Sequence, residues 1–137
     1  MEANKARLNM LFEQVINNRR LNLLDELVAP DYVGHSYSTE AGPAGLKGTL
    51  ETFITGFPDM RANVLHMIAE GDSVVAVGYM SGTHTGTFFG VEPTGKYGEY
   101  RVQITIKFHE GKAIEGWMAI DLAGILKNIG LLGISHM

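Results

Sequence analysis

Apolar residues recur at helical spacing in three segments near the start of the chain. The first spans roughly residues 3–18, and a second, shorter one runs to Pro30, which disfavours helical geometry at the residue before it. The third follows a glycine-rich turn at residues 42–45 and is closed by Pro58 and Asp59. The apolar stripes of the three predicted helices are Leu8, Leu11, Phe12, Val15 and Ile16; Leu21, Leu24, Leu27 and Val28; and Leu46, Leu50, Phe53, Ile54 and Phe57. Between the second and third helices, residues 31–35 are predicted to be extended.

From Met60 onward the apolar period changes to two, which predicts strands over residues 61–70, 73–83, 98–110 and 113–120. The tight separators Glu70-Gly71-Asp72 and Glu110-Gly111-Lys112 have the composition of hairpin turns and favour antiparallel pairing. Helices first and strands afterwards indicate an α+β fold, in which N-terminal helices pack on one face of a curved antiparallel sheet. We expect a single domain over residues 1–137, with 132–137 as a flexible tail.

Strand 73–83 is apolar on both faces. Val75, Val77 and Tyr79 share one face, and Val74, Ala76 and Met80 share the other. An antiparallel sheet covered on one side only normally shows polar residues on its open side. The second face is therefore expected to be buried as well, most simply in a homodimer. The alternative is that a long loop or the C-terminal tail covers it.

Composition narrows the classes of function. The chain has no cysteine, which excludes disulfides, thiolate zinc sites and a cysteine nucleophile. A formal charge of -4 with 11 basic residues argues against nucleic-acid binding and favours a small lipophilic ligand as partner. The sequence contains no metal-ligand spacing, phosphate-binding loop or Gly-x-Ser-x-Gly motif, so no metal, cofactor or serine nucleophile is expected. Without a signal peptide or a membrane-length apolar run, we expect a cytoplasmic protein.

Asp121 is the first candidate for chemistry, since it ends an almost wholly apolar strand. It shares a strand face with Glu115, Trp117 and Ala119. If that face lines a dry cavity, Asp121 is available as a general acid or base. The alternative is an N-cap, because an apolar helical segment starts at Leu122 and aspartate is a favoured N-cap residue.

Two histidines are further candidates. His35 follows the extended segment and is expected to face the cavity opposite Asp121, where an imidazole can orient a carbonyl or exchange a proton near neutral pH; a structural role is the alternative. His84 lies in the glycine-bounded turn at residues 82–86, where a role in the turn is favoured over one at a pocket rim.

The strand at 98–110 has one polar row and one apolar row, and either could face the cavity. If the polar row faces inward, Arg101 and Gln103 can hold an oxyanion or a water molecule. If the apolar row does, Tyr100 becomes a pocket hydroxyl and the polar row lies in solvent. The second arrangement is favoured because unpaired buried charges are costly.

Several short motifs together resemble the SnoaL-like polyketide cyclases, from about Leu8 to about Leu132. They are residues 24–35 (LDELVAPDYVGH), Phe57-Pro58-Asp59, Glu70-Gly71-Asp72, Gly82-Thr83-His84-Thr85-Gly86, Pro93-Thr94-Gly95, and Trp117 with Asp121. The resemblance implies a cone-shaped α+β barrel of the nuclear-transport-factor-like superfamily, with helices closing over a curved sheet around an apolar pocket. It also implies a metal-free and cofactor-free intramolecular aldol condensation with Asp121 as acid/base, and it matches His35 and His84 to family histidines. Where the family often has histidine or another polar residue before the tryptophan, this chain has Gly116.

The sequence thus predicts a cofactor-independent cyclase that closes a ring in a polyketide-like carbonyl compound. Tyr32 or His35 would stabilise the oxyanion. Trp117, Phe53, Phe57 and Met60 are candidate pocket walls, with core packing as the alternative for each. Two other functions stay open: isomerisation or hydrolysis of a small lipophilic substrate on the same fold, and ligand binding without turnover. Gln103, standing where an epoxide hydrolase would need a second acid, counts against hydrolysis.

Overall fold

The computed structural model describes residues 2–35 and 40–130, in which helices precede most of the sheet. The helical elements are α1 (Glu2–Met10), which continues as a π-helix (Leu11–Asn17), a 3-10 turn (Leu21–Leu23), α2 (Leu24–Leu27), α3 (Gly42–Gly56) and α4 (Leu122–Asn128). The strands are β1 (Val28–Gly34), β2 (Arg61–Glu70), β3 (Ser73–Thr83), β4 (Tyr97–His109) and β5 (Lys112–Ile120). The four predicted strands and the extended segment near residue 31 are thereby confirmed, whereas the second helix is shorter than its apolar stripe suggests.

The sheet has five strands in the order β1-β5-β4-β3-β2. The two hairpins β2–β3 and β4–β5 and the pair β3–β4 are antiparallel, as predicted. The predicted α+β fold with helices on a curved sheet is confirmed, and β1 adds a fifth strand that pairs with β5 in parallel. The sheet is therefore mixed, and β1 and β2 are its two edges. Since β1 and β5 are far apart in the chain, no tight turn between them imposes antiparallel pairing.

One face of the sheet packs against the helices and forms the core. In β3 every second residue is buried, from Val74 through Ala76 to Met80. In β4 the apolar row containing Ile104 and Ile106 points the same way. We call this the inner face and the opposite one the outer face. Arg101, Gln103 and Lys107 lie on the outer face of β4 and are exposed. This agrees with the expectation that the polar row of β4 lies in solvent, because unpaired charges are costly to bury.

The outer face also carries apolar side chains that are exposed to solvent. Leu65 and Ile68 of β2 are 67% and 54% exposed, and the side chains of Val75 and Val77 on β3 are partly exposed. The homodimer expected to cover this face stays a prediction, as do the single domain and the cytoplasmic location. Within residues 2–35 and 40–130, no helix combines the length and apolarity needed to cross a membrane. The predicted tail at 132–137 lies outside the described residues.

The loop between β3 and β4 is held tightly against the end of α3. Gly86 N–H donates to the Gly56 carbonyl at 3.1 Å. A Cβ on Gly86 would lie 1.8 Å from the Thr55 carbonyl oxygen, and one on Gly56 would lie 2.7 Å from Phe88. These two glycines therefore allow an approach between backbone segments that no side chain would permit.

Candidate functional site

One cavity between the helices and the inner face of the sheet is small, and the described residues that line it are all apolar. Its volume is about 50 Å³. Phe53 and Met60, the predicted walls, do line it. The other lining residues are Leu11, Phe12, Ile16, Leu46, Leu50, Ala62, Met80, Val102, Ile104, Met118 and Ile120. Small-molecule sites usually enclose about 300–1,000 Å³ and include a few polar groups, so this cavity is a packing void of the core.

Phe57 and Tyr100 lie in the core instead of at a pocket wall. Phe57 is fully buried, and its ring packs edge-on against Phe88 at 5.2 Å and against Tyr100 at 6.3 Å. The Tyr100 hydroxyl accepts a hydrogen bond from Asn128 Nδ2 at 2.9 Å. Tyr100 therefore ties α4 to β4, and neither ring lines a described cavity.

His84 is a structural residue of the loop between β3 and β4. It is fully buried, and its Nδ1 accepts the Thr94 backbone N–H at 3.2 Å and lies 3.0 Å from Thr94 Oγ1. Because a backbone N–H can only donate, Nδ1 is the acceptor and the ring proton sits on Nε2. The His84 backbone also bonds Gly95 and Lys96. The role in the turn, favoured from the sequence, agrees with these contacts.

Tyr32 is buried on the inner face beside Gly116. A Cβ on Gly116 would lie 2.1 Å from the Tyr32 hydroxyl and 2.8 Å from Ile106 Cδ1. The phenol therefore occupies the space that a side chain at position 116 would need. Burial, and secondarily the charge of Glu115, raise the pKa of Tyr32 to about 12. Near neutral pH the Tyr32 hydroxyl is therefore a protonated hydrogen-bond donor.

His35 lies on the outer face, which corrects the expectation that it faces a cavity under the helices. Its Nε2 lies 2.7 Å from Glu115 Oε2, and its ring stacks on Trp117 at a centroid distance of 5.0 Å and 18°. The cause is strand alternation: Gly34 pairs with Gly116 on the inner face, so the residues that follow each of them point outward. Trp117, expected in a dry pocket, is 42% exposed.

Asp121 borders an open cleft of about 550 Å³ on the outer face. Asp121 N–H donates to the Arg101 carbonyl at 3.0 Å, which places the two residues side by side. The cleft is lined by Leu65, Val77, Gly78, Tyr79, Arg101, Val102, Gln103, Ala119, Ile120 and Asp121. The cleft therefore brings a carboxylate, a guanidinium and an amide onto a largely apolar floor. Leu65 and Tyr79 belong to this cleft although the sequence did not single them out for it, since only the pairing of β2, β3 and β4 brings them beside Arg101.

Asp121 also caps α4, because its Oδ1 accepts the Gly124 N–H at 2.9 Å. The N-cap interpretation is confirmed, and the side chain is exposed.

Asp121 and His35 are not a proton-sharing pair. His35 stacks on Trp117, and Asp121 lies four residues further along the chain, a distance of about 13 Å for extended backbone. Among the described residues, no group of three or more histidine and acidic side chains is arranged to hold a metal ion.

Comparison with solved structures gives close agreement in fold. AclR from Streptomyces galilaeus, a proposed hydroxylase, is 28% identical with a TM-score of 0.85, and the match covers 96% of this chain and 87% of AclR. IdmH from Streptomyces antibioticus, a proposed polyketide cyclase, is 29% identical with a TM-score of 0.78, covering 96% and 99%. A proposed SnoaL-like polyketide cyclase from Jannaschia sp. CCS1 is 22% identical with a TM-score of 0.86, covering 93% and 92%, and shows similarity of fold alone.

No curated protein sequence matches the chain. The family model described as SnoaL-like polyketide cyclase matches residues 6–129, which is nearly the whole chain. The mixed open sheet with helices on one face agrees with the cone-shaped α+β fold of the neighbours. The chain therefore belongs to the SnoaL-like polyketide cyclase family.

Proposed function

We propose that the protein is a cofactor-independent cyclase that closes a ring in a polyketide-like carbonyl compound, with Asp121 as the acid/base. Family membership and the structural neighbours support a function of the cyclase or isomerase type. The observation that carries the finer proposal is the position of Asp121 beside Arg101 in the outer-face cleft. A proton acceptor and a cation therefore line the same cleft.

The outer cleft suits this reaction better than the inner cavity does. The inner cavity holds about 50 Å³, and the described residues that line it are all apolar, so they offer little room for a polyketide and no group to move a proton. The cleft has about 550 Å³, which is within the usual range for small-molecule sites. Its floor residues Val77 and Ala119 would contact rings, while Asp121 and Arg101 would meet the carbonyl groups.

The proposed reaction needs one group that moves a proton and one that stabilises negative charge. The Asp121 carboxylate takes a proton from the carbon between two carbonyl groups, and the resulting enolate carbon forms a bond to a second carbonyl carbon of the same molecule. The C=O π electrons become an alkoxide, which receives the proton back from Asp121. Arg101 and Gln103 also line the cleft and would donate hydrogen bonds to the enolate and alkoxide oxygens, a contribution usually worth a few kcal/mol per donor.

The decisive experiment is Asp121→Asn, because asparagine is as good an N-cap as aspartate but cannot take up the proton. We expect ring closure of a linear poly-β-ketone or anthraquinone-type precursor to fall by about 10²–10⁴-fold, the range for loss of a general base. The melting temperature should change little. Asp121→Ala is the matched control, since it loses the proton acceptor and the cap together and should also be destabilised by about 1 kcal/mol. Full activity of Asp121→Asn would refute the mechanism.

A second function, ligand binding without turnover, is favoured by the bond between Asp121 Oδ1 and Gly124 N–H, which by itself explains an aspartate at this position. In that case both Asp121 variants would bind the aromatic ligand as the unchanged protein does, and none of the three proteins would convert it. Isomerisation of a lipophilic enone would use the same base and differs from cyclisation only in its product. Product analysis by mass spectrometry and NMR distinguishes isomerisation from cyclisation.

A further inference from the structure

Among the described residues that line the outer-face cleft, Tyr79 alone carries a hydroxyl, and the proposed reaction gives it no role. Tyr79 belongs to β3, and its side chain is half-buried. In the part of the chain that the structure describes, neither the Tyr79 hydroxyl nor the Arg101 guanidinium has a hydrogen-bond or ion-pair partner. Both groups can therefore bind a ligand without giving up a contact within the protein.

The sheet holds Tyr79, Arg101 and Asp121 in one row across its strands. Tyr79 of β3 pairs directly with Arg101 of β4, and Asp121 N–H, just after β5, donates to the Arg101 carbonyl at 3.0 Å. Neighbouring strands lie about 4.8 Å apart, so the backbones of Tyr79 and Asp121 are about 10 Å apart with Arg101 between them. A carbonyl group above Arg101 would therefore have the carboxylate on one side and the phenol on the other.

We propose that Tyr79 is a further catalytic residue, whose hydroxyl donates a hydrogen bond to the alkoxide oxygen that forms on ring closure. This inference rests on the proposed function, and it places the substrate across the strands with its attacked carbonyl above Arg101. Asp121 first takes the proton from carbon, and the enolate carbon then forms its bond to the carbonyl carbon. The C=O π electrons become the alkoxide, which Tyr79 and Arg101 stabilise together. The phenol keeps its proton throughout, and Asp121 returns its own proton to the alkoxide.

Tyr79 has the properties of a preorganised donor. β3 is paired on both sides, and Tyr79 has a direct partner on each, Asn63 of β2 and Arg101 of β4. A tyrosine side chain has only two rotatable bonds to its ring, whereas an arginine side chain loses much more rotamer freedom when it is fixed. A donor that is already in place needs no reorganisation when negative charge develops. The phenol also supplies an O–H donor without adding a charge to the cleft.

The charges around Tyr79 favour a negative oxygen at this position. Arg101 and Asp121 are the charged residues among the described lining of the cleft, so once Asp121 has taken up a proton the lining carries a net positive charge. Glu99 shares a face of β4 with Arg101 but does not line the cleft. Glu99 and Arg61 pair from opposite sides with the same residue of β3, so a cation lies across β3 from that carboxylate. Directly opposite Tyr79 stands the guanidinium of Arg101.

An ionised phenol tests this site without turnover, because its oxygen resembles that of an enolate. The probe is para-nitrophenol, whose phenolate is distinguished from its neutral form by visible absorbance. Binding is measured in the Asp121→Asn background, since asparagine is neutral there, as Asp121 is once it has taken the proton. Calorimetry at a pH below and a pH above the titration of the probe gives one dissociation constant for the phenol and one for the phenolate. We expect the phenolate to bind about tenfold more tightly, because a charge-assisted hydrogen bond is the stronger one.

In this background, Tyr79→Phe should raise the dissociation constant of the phenolate about tenfold and that of the phenol less than about threefold, since the ring stays and only the donor is lost. With Asp121 in place, Tyr79→Phe should lower kcat about tenfold and leave KM within about twofold, because the alkoxide exists only after the substrate has bound. Tyr97→Phe is the matched control. Tyr97 is a tyrosine of the outer face of β4, 59% exposed, that does not line the cleft, so its loss of a hydroxyl should change none of these constants.

Equal weakening of phenol and phenolate by Tyr79→Phe would assign Tyr79 to packing and overturn its catalytic role. An unchanged phenolate affinity or an unchanged kcat in Tyr79→Phe would overturn it too, as would a phenolate that binds Asp121→Asn no better than the phenol does. The fate of Asp121 as the base is read separately, from the turnover of Asp121→Asn. If this variant keeps full turnover while Tyr79→Phe shows both selective losses, Asp121 is not the base and the role of Tyr79 stands. If Asp121→Asn is inactive and Tyr79→Phe binds the phenolate unchanged, Asp121 stands and the role of Tyr79 fails.

Discussion

Replacing Gly116 by alanine tests whether Tyr32 fills the space left by the absent side chain. The new Cβ would lie 2.1 Å from the Tyr32 hydroxyl, 2.8 Å from Ile106 Cδ1 and 3.1 Å from Tyr32 Cζ. Carbon does not approach oxygen this closely, and Tyr32 is only 5% exposed, so the ring has little freedom to move away. Overpacking of a core by one methyl group typically costs about 1–3 kcal/mol. For a domain of this size, that corresponds to a fall in melting temperature of roughly 3–12 °C.

The explanation is specific enough to be tested by a double-mutant cycle. Tyr32→Phe removes the closest oxygen and leaves contacts with the ring carbon and with the movable end of Ile106. We expect Gly116→Ala to cost at least about 1 kcal/mol less in the Tyr32→Phe background than in the unchanged protein. Urea unfolding of the four proteins, followed by far-UV circular dichroism, measures this difference. Additive costs would show that position 116 and Tyr32 do not compete for the same space.

Three further stability predictions follow from the burial of Tyr32 and from the space around Gly86 and Gly48. Since burial raises the pKa of Tyr32 from 10.0 to about 12, its neutral form stabilises the fold fully below pH 10, and this contribution, on the order of 2 kcal/mol, is lost as pH rises toward 12. Urea midpoints from pH 8 to 12 should therefore fall more steeply for the unchanged protein than for Tyr32→Phe, and parallel curves would contradict this. Gly86→Ala should destabilise by about 3 kcal/mol or more, because its Cβ would meet a backbone carbonyl at 1.8 Å. Gly48 lies in α3 with nothing within 4 Å of an added Cβ, so Gly48→Ala should stabilise the fold by about 0.5–1 kcal/mol. Thermal unfolding should therefore show a lower melting temperature for Gly86→Ala and a higher one for Gly48→Ala than for the unchanged protein.

The local sequence pattern predicted the strands well, because strands show apolar residues at every second position and tight turns have a typical composition. Gly71 and Gly111 both have positive φ and stand in the turns of the two predicted hairpins. The parallel pairing of β1 with β5 leaves no such signal, since no turn joins the two strands. The sequence therefore placed an extended segment correctly at residue 31 but could not assign its neighbour.

The candidate site was harder to predict than the fold. Alternation shows that Trp117 and Asp121 share a face, but not which face the helices cover. A tryptophan in an apolar strand suggested the core, whereas Met118 and Ile120 are the residues that line the inner cavity. Likewise the partner of His84 is Thr94, and only the folded loop brings these two residues together. Capping by Asp121 was predictable because the cap and its helix are adjacent in sequence.

The parallel pairing of β1 with β5 also has a consequence for the order in which the protein assembles. Val28 pairs with Ala113, so β1 has no sheet partner until β5 has also left the ribosome. Contacts between residues so far apart in sequence form late in folding, because closing the long loop between them costs chain entropy before the contact stabilises the fold. Until then the backbone edge of β1 is open to other chains, and the risk of misassembly is greatest in this interval of synthesis.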